Sequence, residues 1–165
     1  MEHDKRMRET YVLPFYQQLP RNSAELIPSI AAVGRNAPLD DILELLGSGW
    51  RPRQVGAWLS LVRGEPEILP AVLESLRTSL GSLTAPELAV AAVLLGGERA
   101  VPALLAYQTA EDERNYGTVG AVSAALEYVG AGSRRGPATE SDRAQFAEYL
   151  EVAEQIRAAD TPTEH

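Results

Sequence analysis

Apolar residues recur along this chain at intervals of three and four, the spacing that lays one stripe along a helix. After Pro38 come Leu39, Ile42, Leu43 and Leu46. Pro52 opens the next stripe, Val55, Trp58, Leu59 and Val62, and Pro66 opens another with Leu69, Val72, Leu73, Leu76 and Leu80. Thr84-Ala85-Pro86-Glu87 reads as a capping box with proline in the first turn, ahead of a run to Leu95 that is apolar almost all round and therefore predicts burial on both sides. A helix over 99–109 carries Val101, Leu104, Leu105 and Tyr107, and a further one is expected over 116–129 after an acidic turn at 111–114. Before this series stand a helix over 8–19 interrupted by Pro14 and one opened by Asn22 and Glu25 that runs to Gly34; after it, 139–159 carries Phe146, Tyr149, Leu150, Ala153 and Ile156 on one side and acids on the other. Gly64, Gly97 and Gly130 close three of the runs at a constant spacing of 33 residues. A period of that size predicts stacked helical pairs, each burying its apolar face against its neighbours.

The expected architecture is all-α: a short right-handed α-solenoid of about three helix pairs in a single domain. Its parts are N-terminal helices over 1–37, a repeat core over 38–130, a flexible linker over 131–138, a capping helix over 139–160 and a disordered tail over 161–165. The residues Ala100-Val101-Pro102-Ala103-Leu104-Leu105, the acidic turn at Asp112, Ala125-Leu126-Glu127-Tyr128-Val129-Gly130, and the earlier copy from Ile42 to Leu59 resemble HEAT-like (armadillo-type) helical repeats, as do Pro28, Pro70 and Pro102 one turn inside a first helix. Tyr11-Val12-x-Pro14 and Trp50-Arg51-x-Arg53 are similar to an uncharacterised bacterial family of small helical proteins. Where that family has a tyrosine- and glycine-rich motif, this chain has Leu83-Thr84-Ala85-Pro86-Glu87-Leu88. The first resemblance implies architecture; the second implies no activity.

Composition narrows the chemistry. There is no cysteine, so disulfides, thiolate catalysis and cysteine-based zinc sites are excluded, and the two histidines, His3 and His165, stand at ends expected to be mobile. No catalytic set, metal site or cofactor is expected. The net charge is −8, of which the segment after Thr139 supplies −5, from seven acids against Arg143 and Arg157. Such a balance disfavours nucleic acid and favours encounter with a basic partner. No apolar run of membrane-spanning length and no signal peptide is read from the chain, which gives a cytoplasmic expectation.

Trp50-Arg51-Pro52-Arg53 is the most unusual cluster, because arginines at a helix start oppose the helix dipole. Either they bind an anion or a partner's carboxylate beside Trp50, or they pair internally with Asp40, Asp41 or Glu44. Tyrosine suits interfaces, and Tyr107 and Tyr116, flanking the acidic turn, are the ones expected in an exposed patch. Trp50, Arg51, Arg53 and Tyr107 are thus the candidate partner-binding residues. The expectation is a non-enzymatic protein-binding module, such as a bacterial immunity protein, neutraliser or adaptor, with homodimerisation compatible. The alternatives are an all-α enzyme pairing a carboxylate (Asp40, Asp41, Asp112 or Glu113) with Arg51 or Arg53, and, against the charge, a HEAT-type nucleic-acid binder.

Overall fold

In the computed structural model the chain is all-α; residues 1–79, 83–114 and 119–159 are described, without the side chains of 112–114. An opening helix, α1 (Glu2–Met7), widens into a π-helical segment over Arg8–Val12 and ends in a short turn, α2 (Leu13–Phe15). Pro14 crowds the carbonyl four residues back, at Thr10, and the wider π turn lies over that residue. The amino terminus, expected to be mobile from its position at the chain end, is tied to the helix that follows Pro38. Arg6 grips Asp41 with two hydrogen bonds of 2.8 Å, Tyr11 donates to the same carboxylate at 2.6 Å, and His3 Nε2 lies 2.7 Å from the Glu44 carboxylate. Asp41 is buried, and the Arg6 guanidinium holds its carboxyl below the usual range. Asp41 thus ties the opening helix to the segment that begins at Leu39.

The remaining helices are α3 (Ser23–Asn36), α4 (Leu39–Gly47), α5 (Trp50–Ser60), α6 (Ile68–Thr78), α7 (Ala85–Gly96), α8 (Val101–Arg114), α9 (Gly120–Tyr128) and α10 (Glu140–Ala159), with a 3-10 turn over Gly97–Ala100 joining α7 to α8. α7 is buried on nearly every side, as its composition predicts, and packs against α5, α6, α9 and α10. The stretch from Ala85 to Glu111 has the length and apolarity of a membrane span, contrary to the expectation that none exists. Half of its most apolar window is buried inside the molecule, and Gly97, at φ +54°, breaks it in two.

The helices do not form the open solenoid expected from the period of 33. Helices distant in sequence pack together: α5 on α7, α7 on α9, and α10 on α3 as well as on α7 and α9. The last helix therefore lies against α7 and α9 and reaches back to α3. At 1.5 Å per residue its 20 residues reach about 30 Å, enough to cross three neighbouring helices. Phe146, Val152, Ala153 and Ile156 are buried along it, Tyr149 stacks on Trp58 at 6.0 Å, and Arg35 of α3 donates to the Ala159 carbonyl. A one-sided stripe reads the same on a cap as on a closing helix.

Two local expectations also change. Residues 111–114 continue α8 rather than forming a turn, and Glu111 is buried. The linker over 131–138 is held in place: buried Gln108 donates to Ser133 Oγ at 2.7 Å and accepts from the Arg134 amide at 3.1 Å, while Glu127 accepts from the Ala138 amide at 2.9 Å. Its glycines and arginines suggested freedom, but the buried Gln108 amide of α8, two helices back, supplies fixed partners. The tail over 161–165, Leu80 and Tyr116 lie outside the described residues.

Candidate functional site

The helix start predicted to be a capping box is the floor of a cleft. Thr84 makes no side-chain cap bond, and Glu87 turns instead toward α5, where Gln54 Nε2 donates to its Oε1 at 2.6 Å. Gln54 is oriented by a second bond, from the backbone N–H of Gln17 to its Oε1 at 3.1 Å. A backbone N–H can only donate, so the amide oxygen faces Gln17 and the NH₂ faces Glu87. Gln17 reaches that place with φ +55°, a left-handed conformation that few side chains other than glycine adopt. Three segments far apart in the chain thus fix one carboxylate.

Glu87 is 1% exposed, and its other oxygen, Oε2, has no hydrogen-bond partner among the described residues. Burial pushes its carboxyl up to about 7, against the smaller opposing pull of Gln54 and of its own backbone amide. The cleft above it has a volume of about 550 Å³. Its walls come from the turn after α2 (Gln17, Arg21), the start of α9 (Gly120, Ala121) and the upper half of α10 (Asp142, Gln145, Tyr149). Burial and the nearby Glu87 charge push the Tyr149 hydroxyl up to about 12, so it stays protonated.

Asp142 and Gly120 are matched to each other. Asp142 forms a reciprocal cap with Thr139, accepting from the Thr139 amide at 2.9 Å while its own amide donates to Thr139 Oγ1 at 3.1 Å. A Cβ on Gly120 would stand 2.0 Å from Asp142 Oδ1, so this carboxylate keeps its place only against glycine. Among the described residues the cleft therefore holds two carboxylates, Glu87 at the floor and Asp142 on the wall, with exposed Arg21 also on its lining.

The residues nominated from sequence lie elsewhere and do not converge. Trp50 and Arg51 form a stack with Tyr16, the guanidinium 4.7 Å from the Trp50 ring centre and 5.3 Å from that of Tyr16. Arg51 also borders a second cavity, of about 690 Å³, between the opening helix and α4. Arg53 turns inward, donating to the carbonyls of Ser48 and Ser75 at 2.6 and 3.0 Å and to Thr78 Oγ1 at 2.8 Å. A cation that opposes the dipole of its own helix is offset by capping the ends of α4 and α6. The expected pairing with Asp40, Asp41 or Glu44 is thus replaced by carbonyl contacts. Tyr107 is fully buried and forms no exposed patch. The side chains of Asp112 and Glu113 lie outside the described residues. No group of three or more potential metal ligands occurs among the described residues.

Comparison with known protein families, curated proteins and solved structures returned no match.

Proposed function

We propose that the protein is a non-enzymatic binding module and that a protein partner reaches into the cleft above Glu87. The observation that supports this reading is the buried Glu87 oxygen without a partner. An unpaired buried polar oxygen costs about 1–3 kcal/mol, and a charged one more. The Gln54 hydrogen bond between α5 and α7 uses only Oε1, whereas a ligand that donates to Oε2 would offset the penalty. The net charge of −8 favours a basic partner, in the manner of a neutraliser or adaptor.

The test is affinity capture from a lysate of the source cells, at low and high salt, with wild type and Glu87→Gln side by side. The expected result is one stoichiometric protein, released by salt and lost with Glu87→Gln. A partner kept by Glu87→Gln but lost with Trp50→Ala and Arg51→Ala would move the contact to the second cavity. Absence of any protein partner would overturn the reading.

A second reading, an all-α enzyme, draws on the titration of Glu87. A carboxyl near 7 beside a protonated tyrosine is suited to general acid–base work at neutral pH. A small molecule retained through purification, and displaced in Glu87→Gln, would favour it over the binding module.

A further inference from the structure

We propose that the floor of this cleft is a subsite for a cationic nitrogen group, a guanidinium or an ammonium, received by Glu87 Oε2 with Asp142 as the second carboxylate. The inference deepens the binding reading above and rests on it for the identity of the partner, though not for the chemistry of the subsite.

Four observations carry it. First, once the carboxyl is ionised the unsatisfied atom is an acceptor: Gln54 already occupies Oε1, and Oε2 is left to a group that brings its own N–H. Second, the neighbouring amide is locked the other way round. Gln54 cannot rotate to present its oxygen to a ligand without abandoning the Gln17 N–H, so the acceptor at the floor is the carboxylate. Third, among the described residues the cleft is lined by two carboxylates and the guanidinium of Arg21, so with both carboxylates ionised these groups carry one negative charge in excess. Fourth, Gly120 gives Asp142 a place that any side chain would fill, and that packing keeps a carboxylate on the cleft wall. The aromatic wall supplied by Tyr149, backed on its far face by Trp58, suits a flat or alkyl-bearing cation.

Two kinds of source could present such a group: a free alkyl cation, or an arginine or lysine side chain of a basic protein. The cleft volume of about 550 Å³ is ample for either. Among the described residues, the titratable and charged groups that line the cleft with Glu87 are Arg21, from the turn after α2, and Asp142 and Tyr149, from α10; the residues that α5 and α9 bring to it, Gln54, Gly120 and Ala121, do not titrate. Burial raises the Glu87 carboxyl to about 7, so a cation should bind by ionising it and expelling its proton.

The experiment is calorimetric titration of the full chain with butylguanidinium, butylammonium and an arginine-rich peptide, with butanol as the uncharged control, at pH 6, 7 and 8. The expected result is binding of at least one cation and not of butanol. Affinity should rise about tenfold from pH 6 to pH 8 as the ionised fraction of Glu87 grows, with proton release at pH 6 seen as a dependence on buffer ionisation heat. Glu87→Gln should lower affinity at least tenfold while remaining folded by its melting curve, and Glu87→Asp should retain part of the binding. Tighter binding of the peptide assigns the source to a protein side chain, and tighter binding of the alkyl cation to a small molecule. Failure of all three cations, an affinity that falls with pH, or full affinity in Glu87→Gln overturns the inference. If the cations fail while partner capture is still lost with Glu87→Gln, the binding module stands and the cation subsite falls. If cations bind but no protein is captured, the cation subsite stands and the protein-binding module falls.

Discussion

Glu87 sits in the first turn of α7, where the helix dipole ordinarily favours an ionised carboxylate. Burial outweighs that preference and raises its carboxyl from 4.5 to about 7, a difference on the order of 3 kcal/mol between the two protonation states. Between those two values the folded chain keeps a proton that the unfolded chain releases. Stability therefore falls as pH rises through that window and levels off above about 7. Glu87→Gln cannot ionise. Its stability at pH 8 should exceed that of wild type by on the order of 2 kcal/mol, with the gap closing toward pH 4.5. Urea unfolding at both pH values checks this. A residue kept only for structure would lose stability on replacement at every pH. A gain in stability coupled to a loss of binding is the pattern of a site held at a cost to folding. The spacing Thr84-x-x-Glu87 was legible as a helix start, and the helix is there. That the acid turns to Gln54 and lines the cleft rather than closing the cap was not legible, because the decision lies with Gln54 and with burial beneath α10.

At the scale of elements, close helix approach depends on two glycines inside helices. A Cβ on Gly34 of α3 would lie 2.6 Å from Val62 Cγ2 and 2.9 Å from the Leu59 carbonyl oxygen, and one on Gly56 of α5 would lie 3.1 Å from both Leu45 Cβ and the Leu46 nitrogen. At Gly34 one of the obstacles is backbone, which cannot step aside as a side chain can. Alanine there gains up to about 1 kcal/mol of helix propensity but must push α3 from α5, an overpacking cost of about 1–3 kcal/mol. Gly34→Ala should therefore destabilise by about 1 kcal/mol, read as a lower urea midpoint with an unchanged slope; Gly47→Ala, in open space, serves as the control. Helix stripes and breaks were readable in the sequence because they follow local periodicity. The places of Trp50, Arg53 and Tyr107 were not. An arginine that caps two other helices and a tyrosine in the core carry the same local signals as ones that face a partner.

For the whole molecule, the question is why a chain with a period of 33 does not remain an open array. Each helix pair buries its apolar face only on its neighbours, so an array this short leaves both ends and one long face in water. Here α10 packs on α3, α7 and α9 at once. Its Arg157 donates to the Leu94 carbonyl at the end of α7, and its final carbonyl, at Ala159, accepts from Arg35 of α3, 124 residues away in sequence. Closure links the first and last thirds of the chain directly, whereas in an open array they would communicate only through every intermediate pair. The two arrangements differ in what removal of the last helix does to the first. A chain ended at Gly136 should lose amide-exchange protection in α3 along with that in α9, and should bind a hydrophobic dye through the face that Val152, Ala153 and Ile156 had covered. In an open array α3 would keep its protection, since only the adjoining helix would be uncovered. Hydrogen exchange followed by mass spectrometry, comparing residues 23–36 in the full and shortened chains, separates the two. The same closure brings Asp142 and Tyr149 over Glu87, so the shortened chain should also lose the cation affinity of the cleft even where α5 and α7 remain helical.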